Sequence, residues 1–290
     1  MKRLYNLLQR ILPQKIFLTA KSEFHSFKMK FQKDITLVEL KQLFEEEFKI
    51  GKGDTLFIHS SIRNLKVQFS FEEIYFLLKE LVGPEGTLLF PCWQIAGRAE
   101  EYLEGTPKPF NVTKTKSKMG FFSEFARMQK DSFRSLHPTN SIVSVGKNGK
   151  ELLKDHHLDI YPCGEKSPFF KMMEYNAKII GIGVDVVNLS FLHCVEDVMK
   201  EKFPIQTRLK QGYKCKVINY EGQEIEVETL VAHPNISSRD IVGFFNRNII
   251  STICKRLTFK GVKFFYAKSN MLFKAVEELA KKGETIYLTK

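Results

Sequence analysis

The chain has 290 residues, 43% of them hydrophobic and 27% charged, with a formal net charge of +12. That length can bury one large core or two closely joined ones, and the composition is that of an ordinary soluble globular protein. The most apolar runs, Leu88 to Pro91 and Ile179 to Val184, are strand-sized, which excludes a membrane-spanning helix.

Five scattered cysteines with no CxxC pair argue against a zinc site or a disulfide framework, so free thiols in a reducing compartment are expected. Residues 1–30 carry seven Lys/Arg against one acidic residue, Glu23, and so hold half of the excess charge. Leu4, Leu7, Leu8, Ile11 and Leu12 recur there at near-helical spacing, the pattern of a short basic amphipathic helix. Two uses stay open: weak attachment to an anionic membrane face, or a solvated arm packed on the rest of the protein. Gln9, Arg10, Pro13, Gln14 and Lys15 break the apolar stretch that a secretory signal needs, so a cytoplasmic location is expected. Basic residues elsewhere are spread among acidic ones, and they form no nucleic-acid-binding motif.

Hydrophobic periodicity predicts helices over 36–48, 71–82 and 119–130, and strands over 55–59 and 86–91. A strand at 141–145, helices near 148–156 and 167–175, a strand at 177–184 and a helix starting near Ser190 follow. Such alternation implies a layered α/β architecture. After Phe203 the character changes: 214–219 and 224–230 flank Tyr220-Glu221-Gly222-Gln223 as a β-hairpin. A helix at 238–251, a strand at 261–266, a helix at 269–281 and a strand at 285–289 complete the chain. Residues 92–117 lack periodicity, and a loop of that length is often functional. The expected division is an N-terminal extension (1–35), an α/β core (36–203) and a C-terminal α+β part (204–290), the last being a subdomain or a continuation of the same sheet.

Four stretches carry polar chemistry. The first strand ends at His59 and opens onto Ser60 and Ser61, a junction that either caps a helix or holds a polar ligand. Arg134-Ser135-Leu136-His137-Pro138-Thr139-Asn140-Ser141 crowds donors into eight residues, as a binding loop or a self-bonded turn would. Further on, Ser167-Pro168 reads as a helix cap followed by proline at the first helical position, while Glu165 is either solvated or a partner for a substrate amine. In the fourth, the strand Ile179–Val184 ends at Asp185, and Ser190 is placed to cap the next helix. His193 and Glu196, three apart, project from one face of its first turns. Such a histidine is either structural or a general base. His156-His157 point to different sides of any helix and HExxH is absent, so no metal is expected, and thiol chemistry at Cys163 is set aside too.

Six pieces, GDTLFIHSSIRNL (53–65), VGPEGTLLFP (82–91), MGFFSEFAR (119–127), RSLHPTNSIVSVG (134–146), GEKSPF (164–169) and IIGIGVDVVNLSFLHCVED (179–197), resemble in order and spacing the aminoglycoside 3-N-acetyltransferase family of antibiotic acetyltransferases. The resemblance implies a three-layer α/β/α sandwich with a C-terminal α+β extension, and acetyl-CoA as donor. It implies that His59, Ser60, Ser61, Arg63, Arg134, Ser135 and Ser141 line the coenzyme A site. His193 would be the catalytic base and Glu196 its orienting carboxylate, with Glu165, Asp185, Asn188 and His137 toward the acceptor. The Ser60-Ser61 turn would supply oxyanion donors.

A primary amine of an amino sugar is the expected acceptor. Because the chain is basic, an anionic acceptor is favoured, namely a nucleotide-linked sugar such as a dTDP- or UDP-3-amino-3,6-dideoxyhexose for surface polysaccharide, acylated on its 3-amino group. An aminoglycoside antibiotic is the second reading, and a non-catalytic membrane-associated assembly protein the third. One departure from the family pattern is Pro91-Cys92-Trp93-Gln94, where a Pro-Thr-Phe-like run is expected.

Overall fold

Side-chain capping decides where the first helices begin. In the computed structural model, which describes residues 33–288 except 96 and 106, together with residues 16, 19 and 23, Thr36 starts helix α1 (Leu37–Gln42). Its hydroxyl accepts from the Glu39 amide at 3.2 Å while the Glu39 carboxylate accepts from the Thr36 amide at 2.9 Å. Ser70 and Glu73 repeat the device at α2 (Phe71–Val82), which follows strand β1 (Thr55–Ser60). The amphipathic helix expected near the N-terminus lies outside the described residues.

Next come β2 (Thr87–Pro91), α3 (Ala99–Glu104), β3 (Phe110–Asn111), α4 (Phe121–Arg127), β4 (Ser132–Arg134), β5 (Ile142–Gly146), α5 (Gly149–Leu153) and α6 (Pro168–Lys171). The chain continues through β6 (Lys178–Ile182), α7 (Leu192–Met199), β7 (Tyr213–Ile218), β8 (Glu224–Thr229), α8 (Ile241–Asn248), β9 (Cys254–Phe259), β10 (Val262–Lys268) and α9 (Ser269–Lys281). No helix among the described residues is long and apolar enough to cross a membrane.

Seven strands form one sheet in the order β4-β5-β2-β1-β6-β10-β9. Its centre, β2-β1-β6, is parallel, and the flanking strands pair antiparallel. Period-two alternation sends β1 side chains to opposite faces. Leu56 and Ile58 join Leu40, Phe44, Ile74, Leu78 and Phe122 on one face. Phe57 joins Leu152, Phe169, Leu192, Val195, Phe244 and Leu272 on the other. Helices therefore cover both faces, giving the three-layer α/β/α sandwich.

After residue 203 the chain continues the main sheet. Strand β10 buries Val262 and Phe264 in one core and Phe265 and Ala267 in the other, so the C-terminal part completes the main sheet. Only the β7–β8 hairpin stands apart, forming a second, three-stranded sheet with β3. Of the strand expected at 285–289, the described residues 285–288 form no strand and make a single bridge, Tyr287 to Arg239. The expected helix at 238–251 stops at Asn248, and the edge strand β9, α3, β3 and β4 are short elements that periodicity did not reveal.

At the carboxyl ends of the parallel strands the chain spreads. Gly183 sits at φ +70°, where a Cβ would stand 2.5 Å from the Ser61 carbonyl oxygen, so only glycine allows this approach. The Asn64 amide donates to the Gly183 carbonyl at 2.6 Å and ties the two strand ends together.

At and beneath this end lie buried histidines. His156 donates from Nε2 to the Pro162 carbonyl at 2.8 Å and accepts at Nδ1 from the Ser135 hydroxyl at 2.8 Å, which fixes it as neutral. It stacks on His137 at 4.5 Å. Burial pushes His59 and His156 down to about 3, and burial with the neighbouring His156 pushes His137 well below the ordinary histidine range. The unfolded chain protonates these groups near pH 6.5 and the native state does not, so their contribution is full above about 6.5 and is lost as pH falls toward 3. Urea denaturation should show stability falling between pH 7 and 5 by up to about 1.4 kcal/mol per pH unit for each such histidine. Replacing His156 with Gln should flatten the slope, and a pH-independent stability over that range would contradict this account.

Candidate active site

Two cavities meet on the molecule's carboxyl-end surface. The first, about 280 Å³, opens where β1, β2 and β6 end and is walled by Ser60, Pro91, Val184 and Asn188. Open α/β sheets bind their ligands at this end, beyond the strand termini. The second, about 340 Å³, lies between Arg98 and Glu100 at the start of α3, Thr139 and Asn140, and segment 230–237. Trp93, His193 and Arg239 border both.

His193, near the start of α7, is 20% exposed at its side chain, and Glu196 one turn later is 3% exposed. Their side chains approach at 2.9 Å between Nδ1 and Oε2. A carboxylate only accepts, so Nδ1 carries the proton and Nε2 presents its lone pair to the junction of the cavities. The second Glu196 oxygen accepts from the Tyr287 hydroxyl at 2.6 Å. Burial would raise this carboxyl, but His193, Tyr287 and nearby Arg208 outweigh it and hold it below the usual carboxylate range. Burial, then the Glu196 charge, pushes the Tyr287 hydroxyl far upward, so it stays a donor.

The next residue, Asp197, is also buried. It accepts two bonds from Arg208 at 2.7 Å and one from the Cys163 amide at 2.8 Å. Burial disfavours the Arg208 cation, yet Asp197 more than compensates and raises its pKa. This bidentate pair pins the segment behind the second cavity to α7.

The structure distributes the sequence-predicted residues unevenly. His59, Ser60, Asn188 and His193 border the first cavity. Ser61 spends its amide on the Ile182 carbonyl at 2.9 Å, so it offers no backbone oxyanion donor, and exposed Arg63 lines neither cavity. Arg134, Ser135, His137 and Ser141 are buried and turned inward. The Arg134 guanidinium binds the Cys92 and Thr115 carbonyls and the Ser141 hydroxyl, over the Phe110 ring at 4.6 Å. Within that loop it is Thr139 and Asn140 that face the second cavity. Glu165 is exposed on a turn, and Asp185 caps the turn Val186–Asn188 and pairs with Lys263, so neither reaches a cavity.

Ser190 does not cap α7, because Asp185 has already turned the chain and Phe191 occupies the cap position. Its hydroxyl is instead buried without a hydrogen-bond partner among the described residues, as are His59 Nε2 and Trp93 Nε1. All three residues border the first cavity. Buried polar groups rarely stay unsatisfied, so this cluster fits a ligand carrying carbonyl and amide groups, as a pantetheine arm does. Sequence reading missed Tyr287, Arg208 and Arg239, whose partners lie far away along the chain.

An α/β sheet with two cavities at its carboxyl end, both bordered by one histidine that a carboxylate holds, suits an enzyme that brings two substrates together. Residues 57–281, more than three quarters of the chain, match the aminoglycoside 3-N-acetyltransferase family profile, and the chain belongs to that family of acetyl-CoA-dependent acyltransferases. It is similar to aminoglycoside N(3)-acetyltransferase III of Serratia marcescens, 25% identical over 186 residues that cover 60% of this chain and 67% of the relative. A Salmonella enzyme of the same description is 27% identical over 165 residues, covering 53% and 57%. Among solved structures, the binary complex of AAC-IIIb with CoASH superposes with a TM-score of 0.71 at 17% identity, over 89% of this chain and 100% of that one. Aminoglycoside acetyltransferase AAC(3)-Xa gives 0.74 at 15% identity, over 92% and 99%.

These matches correct the expected acceptor. The relatives are aminoglycoside N(3)-acetyltransferases, which overturns the reading of a nucleotide-linked sugar for polysaccharide synthesis. Net charge misled because half of it is contributed by residues 1–30, so the total does not report the charge around the cavities. Around the second cavity Arg208 is engaged by Asp197 and Arg98 by Glu100, so neither is a ready cradle for a diphosphate. Membership of the family also sets aside the non-catalytic reading.

Replacing Tyr287 with Phe removes a hydrogen bond to a charged group, of the kind worth about 1.5–3 kcal/mol. Turnover should fall by about ten- to a hundred-fold while the KM for acetyl-CoA stays near the wild-type value. Steady-state kinetics checks this, and an unchanged kcat would show that Tyr287 does not position the pair.

Proposed function

We propose that this protein transfers the acetyl group of acetyl-CoA to the 3-amino group of an aminoglycoside, a small molecule built from amino sugars, with His193 as general base. The observation that carries the reading is the place of His193 Nε2: at the border of both cavities, with Glu196 fixed behind it at 2.9 Å. The first cavity suits the pantetheine arm and thioester, and the second suits the acceptor.

Acetyl-CoA supplies the acetyl group as a thioester, and a C–N bond forms as the C–S bond breaks. His193 takes the proton that the attacking nitrogen loses and returns it to the departing sulfur, so protons balance over the turnover. Glu196 keeps the imidazole oriented and stabilises its transient cation, as the carboxylate does in hydrolase triads. Ser190, with its unpaired hydroxyl beside the same cavity, is assigned as a donor to the developing oxyanion.

General-base help contributes about 10²–10⁴ in rate, so His193→Ala should lower turnover by at least about a hundred-fold. Coenzyme A binding, measured by calorimetry, should remain within a few-fold, which separates lost chemistry from lost folding. Thiol release followed with a disulfide dye in the presence of an aminoglycoside reports the rate. Turnover surviving in His193→Ala within a few-fold would remove the assignment. For Ser190→Ala, the loss expected for one oxyanion donor is about a hundred-fold in kcat, and a wild-type value would exclude that role.

A further inference from the structure

Arg239 lies between the turn Pro234–Ser237 and α8, and the proposed chemistry gives it no task. Its NH1 group stands 3.4 Å from His193 Nε2, and its Nε donates to the Ile236 carbonyl at 3.2 Å. The guanidinium lies over the Tyr287 ring at 5.5 Å, and the two residues pair as a backbone bridge. The Asp240 amide holds the Ile286 carbonyl at 2.8 Å, so the position is fixed from both sides.

A guanidinium only donates hydrogen bonds. It can therefore approach Nε2 only while that nitrogen offers its lone pair, the form already set by Glu196 on the other side of the ring. Nε2 has one lone pair, and the amine to be acetylated must present its own N–H there. Binding of the acceptor accordingly displaces NH1 from Nε2. The Ile236 carbonyl and the Tyr287 ring keep the freed group beside the reacting nitrogen, where a donor-only cation welcomes oxygen and repels a second ammonium.

We propose that Arg239 covers the base in the absence of acceptor and selects acceptors whose reacting amine is flanked by a hydroxyl or ether oxygen, rather than by another amine. The inference rests on His193 being the base. The other charged or titratable groups around this junction are Glu196, Tyr287, His59, His233, the Arg98–Glu100 pair and Arg208, the last engaged by Asp197.

The test uses the full chain, acetyl-CoA and two matched probes: 3-amino-3-deoxyglucose, whose amine lies between hydroxyls, and 2,3-diamino-2,3-dideoxyglucose, in which one of them is an amine. The wild type should prefer the first by about ten-fold or more in kcat/KM, the scale of like-charge exclusion. Arg239→Gln should shrink that ratio to about three-fold or less, mainly by lowering KM for the diamine, whereas Arg239→Lys, which keeps the charge, should retain most of it. Equal losses for both probes with an unchanged ratio would overturn the proposal and leave Arg239 a structural residue. So would a wild type that shows no preference or acetylates neither probe. His193→Ala is run alongside: if it still turns over, the base assignment falls whatever the ratio, and if it is inactive while the Arg239→Gln ratio is unchanged, only the selection by Arg239 falls.

Discussion

A carboxylate almost shut off from water has to find its partners inside the protein, and Glu196 imposes that condition on the whole carboxyl end of the sheet. One oxygen is served from its own helix by His193, the other by Tyr287, 91 residues later. Holding Tyr287 in place requires the C-terminal segment to lie against residues 238–240, through Asp240 N to Ile286 O at 2.8 Å and Leu288 N to Ser238 O at 3.1 Å. Asp197 makes the same demand in the opposite direction and draws in Arg208 and the Cys163 amide. Two successive buried carboxylates on one eight-residue helix thus bind three other segments around the junction of the cavities. The small area of α7 carries an organising role out of proportion to its length.

What could be read from the chain follows from the range of each interaction. The capping boxes at Thr36/Glu39 and Ser70/Glu73 act within one turn, and both helices start where those residues place them. The central strands show as apolar runs because each is buried on two faces. His193 and Glu196 could be paired from spacing alone, since a helix of any surroundings sets residues three apart on one side. Tyr287, Arg208 and Arg239 left no such mark, because their roles depend on partners 91, 11 and 46 positions away whose approach only tertiary packing decides. The loop 134–141 shows the intermediate case. Its density of donors identified a stretch beside the site, but whether each side chain turns inward depends on the Cys92 and Thr115 carbonyls that bury Arg134. Net charge was the least informative quantity, being a sum over the chain that carries no address.

The way the cavities meet also bears on how the acetyl group would move. A covalent route through the protein needs a nucleophile activated by the base, within hydrogen-bond reach of Nε2. Ser190 borders the same cavity as His193, but its hydroxyl makes no hydrogen bond to the imidazole or to any other described residue. Burial pushes the Cys163 and Cys194 thiols well above the usual range, so neither supplies a thiolate at neutral pH. Among the described residues no activated nucleophile stands beside it, so in the proposed reaction Nε2 serves the acceptor's own nitrogen. Direct transfer between two substrates bound at once is then the chemistry that the shared wall of Trp93, His193 and Arg239 allows. In that arrangement a residue which contacts the base from the acceptor side, as Arg239 does, influences both when the base is uncovered and which amine reaches it.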